Sequence, residues 1–199
     1  MSRYDVIIIG AGPGGIFAAY ELAKKAPELK VAVFEAGNSL EKRKCPIDGK
    51  KIKICINCKT CAIMSGFGGA GAFSDGKYNI TNDFGGTLYE YIGKDTAIDL
   101  MKYVDEINLA YGGEGTKMYS TAGTDIKKLC IQNELKLLDA SVRHLGTDIN
   151  YIVLENLYKE LKEKVEFRFN YRVDELEAVD GGYRVISGDS TDAVSYTHL

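Results

Sequence analysis

No apolar run in this sequence approaches the ~20 residues that a helix needs to cross a bilayer. An excess of positive charge is missing too. With 25 Lys and Arg against 28 Asp and Glu, the net charge of -3 supplies no general attraction to nucleic acid or to an anionic membrane. Histidine is scarce, at two residues. His198 falls in a terminal stretch with no readable element, which leaves His144 as the one imidazole in the expected fold. His144 serves equally well as a cap or a packing residue, so no side chain qualifies by sequence alone as a catalytic acid or base. A signal peptide is not expected either. Arg3 does precede an apolar stretch, but Asp5 and a glycine-proline turn interrupt it.

What is present has the composition of a globular protein, 45% hydrophobic and 27% charged, and 199 residues suffice for one domain or one and a half. The segment from Asp5 to Glu35 organises the rest. Asp5, Val6, Ile7, Ile8 and Ile9 form a β-branched run of the kind buried on both faces of a parallel sheet. The run stops at Gly10-Ala11-Gly12-Pro13-Gly14-Gly15, which matches G-x-G-x-x-G. In that pattern Gly10 makes the tight turn, Gly12 lets backbone approach a pyrophosphate, and Gly15 lets the next helix pack on the sheet. A helix over about 14–25 is predicted, with Ile16, Phe17, Tyr20 and Ala23 on one face and its positive N-terminus at the turn. Val31-Ala32-Val33-Phe34 reads as the second strand. Glu35, with Ala36 beside it, then stands twenty residues after Gly15, where a carboxylate accepts hydrogen bonds from ribose hydroxyls and repels a 2′-phosphate. The expected nucleotide is therefore FAD or NAD rather than NADP.

Five cysteines, four of them clustered, indicate a reducing compartment, by default the cytoplasm, and metal or redox chemistry before disulfides. Cys45, Cys55, Cys58 and Cys61 give C-x9-C-x2-C-x2-C, a spacing used by both iron-sulfur clusters and zinc. Redox-active thiols and simple packing remain alternatives. The preceding Lys42-Arg43-Lys44 run reads as a solvated loop, the alternative being that one of its side chains reaches a phosphate. The glycine-rich stretch from Ser65 to Lys77 suits backbone lying against a ligand, because Phe67, Ala70, Ala72 and Phe73 are interleaved with its glycines.

Downstream, a helix capped by Asp95 or Thr96 carries Ile98, Met101, Val104 and Ile107, and another capped by Thr124 or Asp125 carries Ile126, Leu129 and Cys130. A third starts at Thr147 or Asp148. Strands follow over 165–171 and 173–179, with a hairpin at Gly181-Gly182. Tyr89, Tyr91, Tyr103, Tyr111 and Tyr119 thicken the middle of the chain, chiefly for packing. Residues 194–199 do not fit this grammar and look like translated adapter sequence at the end of a truncated gene.

The glycine fingerprint, the cysteine cluster, Ser65-Gly66-Phe67-Gly68-Gly69-Ala70-Gly71-Ala72-Phe73-Ser74-Asp75-Gly76-Lys77 and the turn from Arg143 to Asp148 together resemble the bacterial and archaeal FAD-dependent dehydrogenases. These NAD(P)/FAD-dependent oxidoreductases belong to the glutathione-reductase-like flavoprotein superfamily. The resemblance reaches to about Ser187, and the glycine-rich stretch is its most specific part. It implies that Gly10, Gly12, Pro13, Gly14 and Gly15 hold the FAD pyrophosphate and Glu35 with Ala36 the adenosine ribose. It also implies that Gly68, Gly69 and Gly71 lie near the flavin half and that Val173 meets adenine through its backbone. Members of that family are longer and complete the flavin site with a second glycine segment near their C-terminus, so this chain is expected to be an N-terminal part.

The expected architecture is α/β, a Rossmann-type parallel sheet with flanking helices, interrupted by an α-rich insertion. The first part of the FAD-binding domain would span 1–84, the substrate-side insertion 85–145, the return 146–188, and a non-native tail 189–199. The expected function is an FAD-dependent oxidoreductase that passes hydride or electrons between a small-molecule substrate and a donor, NAD(P)H being one candidate. Alternatives are a flavin and iron-sulfur electron-transfer module, or a dinucleotide-binding domain without catalysis.

Overall fold

The computed structural model describes residues 3–188 and 190–196. In chain order its elements are β1 (Arg3–Ile9), α1 (Pro13–Lys25), β2 (Val31–Glu35), β3 (Lys77–Ile80), α2 (Leu88–Ile92), α3 (Lys94–Asn108), β4 (Met118–Ser120), α4 (Ile126–Gln132), β5 (Ser141–His144), α5 (Gly146–Leu161), β6 (Glu166–Phe169), β7 (Glu175–Val179), β8 (Gly182–Ser187) and β9 (Ser190–Tyr196). Two compact units divide the chain, Met1–Phe73 with Leu154–Leu199 and Ser74–Val153.

The first unit is built on a six-stranded sheet in the order β6-β2-β1-β9-β8-β7. Strands β6, β2, β1 and β9 run parallel, while β7, β8 and β9 form an antiparallel meander. All five residues of β2 are buried, as a strand covered on both faces requires. Register pairs Val6 with Val31 and Ile9 with Phe34, so β1 and β2 finish side by side and bring Gly10 and Glu35 to one end of the sheet. On one side Tyr4, Ile7, Ala32, Phe34 and Val185 form a buried cluster. Elsewhere in the unit Phe67, fully buried, packs on the rings of Tyr158 and Phe167 at 4.9 and 5.7 Å. Helix α1 buries Ile16 and Ala19 rather than Phe17 and Tyr20, because small Ala19 allows the closer approach.

The segment 190–196, expected to lie outside the fold, is strand β9 between β1 and β8. Asp189 and Thr197, His198 and Leu199 lie outside the described residues. Buried Asp192 on β9 accepts hydrogen bonds from Arg168 at 2.7 Å and from the Tyr171 hydroxyl at 2.8 Å, and Arg168 donates onward to Tyr4. Burial, then the hydrogen bond to Asp192 and its charge, push the Tyr171 phenol up to about 12. An unfolded tyrosine titrates near 10. The folded value is the higher one, so this contribution to stability is complete below pH ~10 and is lost as pH rises through about 12. In an alkaline absorbance titration, Tyr171→Phe is expected to remove one late-ionising phenolate. Equal late titration in both proteins would refute the linkage.

The second unit contains a three-stranded sheet, β3-β5-β4, that the sequence did not announce, since strands of three or four residues are too short to show alternation. It also holds α2, α3, α4 and the beginning of α5. Helix α3 starts one residue earlier than Asp95, with Gly93 at φ 83° preceding it, so neither Asp95 nor Thr96 is the cap. Helix α5 likewise starts at Gly146. Arg143 on β5 makes a two-pronged ion pair with Asp105 on α3, both buried, and donates to the Thr116 carbonyl at 2.7 Å. Asp105→Asn leaves that guanidinium buried without its counter-charge. The expected loss is about 2 kcal/mol, read as faster hydrogen exchange along β5, below the full cost of an enclosed pair because both groups keep some solvent contact. Unchanged exchange would contradict it.

Candidate functional site

At the carboxyl ends of β1 and β2 the chain reverses through the glycine turn. Gly10 has φ 97°, a conformation that L side chains rarely adopt, and its amide donates to the Phe34 carbonyl at 2.8 Å. A methyl group on Gly15 would stand 1.9 Å from the Gly10 carbonyl oxygen and 3.3 Å from Ile8, so the helix sits too close to the turn for any side chain there. Gly12 differs. Its backbone is extended, and a methyl added to it would meet no protein atom within 4 Å. The space beside Gly12 opens where the first turn of α1 points its free amides. Ile16 makes the first helical bond, to the Gly12 carbonyl, and no side chain caps the helix. The amides of Gly14 and Gly15 therefore have no partner within the helix, and Pro13 has no N–H to offer.

Glu35, 6% exposed, accepts three backbone amides: Ala11 at 2.7 Å, Gly37 at 2.7 Å and Gly66 at 2.9 Å. It thus ties the phosphate-type turn, its own loop and the glycine-rich stretch to one carboxylate. A carboxylate has about four acceptor sites. Three are engaged, and one remains open. Ala36 is half-buried beside it.

The glycine-rich stretch comes back onto this turn. Gly68 donates to the Ala11 carbonyl at 2.8 Å, and a methyl on Gly69 would lie 3.2 Å from the Gly12 Cα. Gly66, Gly68 and Gly69 all have positive φ, which explains their density better than flexibility does. Gly71 is exposed in the short 3-10 turn over Gly69–Phe73, and a methyl added to it would meet no atom within 4 Å. The sheet brings Gly10, Gly12, Gly15, Glu35, Gly68 and Gly69 together. Val173 falls in the link between β6 and β7 rather than in a strand and packs against the core cluster.

Arg43 is the residue that sequence reasoning missed. It belongs to the run expected to be a solvated loop, yet it is 5% exposed and reaches no open phosphate position. Its guanidinium donates to the carbonyls of Ala62 at 2.8 Å, Ile63 at 2.7 Å, Phe67 at 2.7 Å and Gly69 at 2.8 Å, and stacks over Phe73 at 4.8 Å. Burial lowers its pKa, and the nearby Glu35 partly opposes that. Lys42 and Lys44 on either side are exposed, as expected of such a run. The signal available in advance was the glycine density across the loop, because a chain segment with so few side chains needs one from elsewhere to satisfy its carbonyls.

Cys45, Cys55, Cys58 and Cys61 all line one pocket of about 270 Å³ in the loop that follows Arg43. All are free thiols. Among the described residues no three His, Cys, Asp or Glu side chains converge on a position for a single metal ion. His144 is exposed on β5, and Cys130 is half-buried on α4.

Comparison with known proteins agrees with this geometry. The model of the Thi4 family matches residues 1–41. Among curated relatives, the thiamine thiazole synthase of Yarrowia lipolytica is 64% identical over 33 residues, 17% of this chain and 10% of that protein. That of Fusarium oxysporum is 57% identical over 35 residues, 18% of this chain and 11% of its own length. The chain thus spans about a tenth of the curated relatives it matches, and the matched part is the first strand, the glycine turn, α1 and β2. Among solved structures, glycine oxidase from Geobacillus kaustophilus superposes over 99% of this chain and 55% of its own, at TM-score 0.54 and 16% identity. The 3-ketosteroid-Δ4-(5α)-dehydrogenase from Rhodococcus jostii RHA1 superposes over 97% of this chain and 44% of its own, at TM-score 0.54 and 16% identity. The fold is a Rossmann-type α/β fold, shared with both of these structures. No helix among the described residues is long and apolar enough to cross a membrane.

Proposed function

We infer that this chain binds the ADP half of FAD and is the flavin-binding part of an oxidoreductase. One observation carries the reading: the open approach at Gly12, bordered by the amides of Gly14 and Gly15, by the Glu35 carboxylate with one acceptor site spare, and by Gly69 laid alongside. Gly10 and Gly15 shape the turn, Gly12 and the first turn of α1 meet the pyrophosphate, and Glu35 with the Ala36 backbone meets the ribose. Gly68, Gly69 and Gly71 face the next part of the cofactor. The bound isoalloxazine supplies hydride or electron transfer, and the chain supplies binding, orientation and charge. In this reading the unit Ser74–Val153 is the substrate side, the substrate is a small molecule, and NAD(P)H is the electron donor to test first. Free thiols throughout fit a reducing compartment, and the cytoplasm is the proposed one.

Titration of FAD into the purified chain, followed by flavin fluorescence, tests the binding claim. FAD is expected to bind, ADP to displace it, and 2′-phosphorylated ADP to fail, since a second anion would face Glu35. Equal displacement by the 2′-phosphorylated compound would remove Glu35 from the ribose site, and absence of any FAD signal would remove the site itself.

A further inference from the structure

The loop from Lys44 to Ala62 contains no helix or strand and no buried residue. A stretch of that length without structure of its own is uncommon inside a compact unit and usually serves a purpose. Ile54 and Ile56 stand 78% and 55% exposed, so apolar burial does not hold it. Its fixed points are few. Asp48 accepts the amides of Lys50, Lys51 and Ile52, and Arg43 grips the carbonyls of Ala62 and Ile63 just past the last cysteine. Between these points all four cysteines turn onto one pocket, whose remaining wall is Pro46, Ile47, Ile56, Asn57 and Ala62.

We propose that Cys45, Cys55, Cys58 and Cys61 are the four thiolate ligands of an iron-sulfur cluster seated in that pocket. Three observations choose a cluster over a lone ion. All four cysteines line one cavity, while no three of them converge where a single ion would sit. At about 270 Å³ the cavity takes a polyatomic group, given that an apolar cavity of ~150 Å³ accepts benzene. The run Cys55-x2-Cys58-x2-Cys61 has the C-x2-C-x2-C spacing that holds clusters elsewhere, and Cys45 lines the same pocket as a fourth ligand. The local chemistry also favours thiolate. Asn57, at φ 51°, turns its amide back onto the Cys55 sulfur at 3.4 Å, and hydrogen bonds of this kind stabilise a metal-bound sulfur. A bound cluster would supply the folding energy that this loop does not obtain from burial.

The test uses the full chain, purified anaerobically and reconstituted with ferric and ferrous iron and sulfide, with iron and acid-labile sulfide counted separately from flavin. The expected result is equal, stoichiometric iron and sulfide with a brown chromophore. Cys58→Ser and Cys45→Ser should each lower bound iron by more than half while far-UV circular dichroism and ADP binding stay unchanged. Cys130→Ser should lower nothing. A folded chain that takes up no sulfide-linked iron, that binds one zinc ion in its place, or that loads equally after Cys58→Ser overturns the proposal.

Discussion

Gly15→Ala is expected not to fold to the native state, whereas Gly12→Ala folds normally. The two glycines lie three residues apart in one fingerprint, yet they meet different surroundings. The added methyl at Gly15 would stand 1.9 Å from the Gly10 carbonyl oxygen and 3.1 Å from its carbon, both backbone atoms that no rotamer change moves aside. Relief requires α1 to lift from β1, which breaks the contact of Ile16 and Ala19 with the sheet. Overpacking of ordinary cores costs about 1–3 kcal/mol. A clash with rigid backbone belongs to the exceptional class, on the order of 4 kcal/mol or more, a large part of a domain's total stability. At Gly12 nothing stands within 4 Å and φ is not in the left-handed region, so the same change costs only the roughly 1 kcal/mol or less that separates Ala from Gly at a helix start. Chemical denaturation of the two variants checks this. Similar midpoints would show that Gly15 is not a close-packing position.

Arg43→Met is expected to weaken the first unit by about 3–5 kcal/mol and to open residues 44–69 to protease. One guanidinium satisfies four carbonyls, two beside the cysteine loop and two in the glycine-rich stretch. Hydrogen bonds from a charged donor are worth about 1.5–3 kcal/mol each, and they are not additive because they share one group. Arg43→Lys should recover less than half of the loss, since a lysine ammonium has three donors on a point and no planar fork. Nucleotide binding should fall as well. Gly66, which donates to Glu35, would come within 2.6 Å of the Arg43 side chain if it bore a methyl, so the arginine and the carboxylate hold the same segment from two sides. Wild-type stability in Arg43→Met would mean that the loop is fixed by something else.

These two residues mark what was and was not legible in the sequence. The β1-α1-β2 segment could be read because its information is local: a β-branched run, three glycines at set spacing and an acid at a set distance. The tasks of Gly10 and Gly15 follow from that pattern, and the structure places them as read. Arg43 was missed because Lys42 and Lys44 on either side give it a surface pattern, and only the return of the chain at Phe67 and Gly69 makes it interior. Glu35 was legible as an acid at the end of β2, but not as the acceptor of three amides, two of which come from residues 24 and 31 positions away. Strands β3, β4 and β5 escaped notice because they are short and their partners are distant in sequence. Val173 reads as the start of a strand over 173–179, whereas β7 begins only at Glu175. The segment 190–196 read as foreign and nevertheless extends the sheet, since main-chain pairing with β1 and β8 needs no particular side chain.

The central claim is that the space beside Gly12 is kept for a pyrophosphate. Calorimetric titration of FAD into wild type and Gly12→Ala, at a temperature where both are folded, tests it most directly. The variant is expected to bind at least about tenfold more weakly, a loss of ~1.4 kcal/mol, while its unfolding midpoint moves by no more than a stability loss of about 1 kcal/mol allows. Equal affinity in the folded variant would contradict the account, because a methyl group where the pyrophosphate must pass cannot leave its binding untouched.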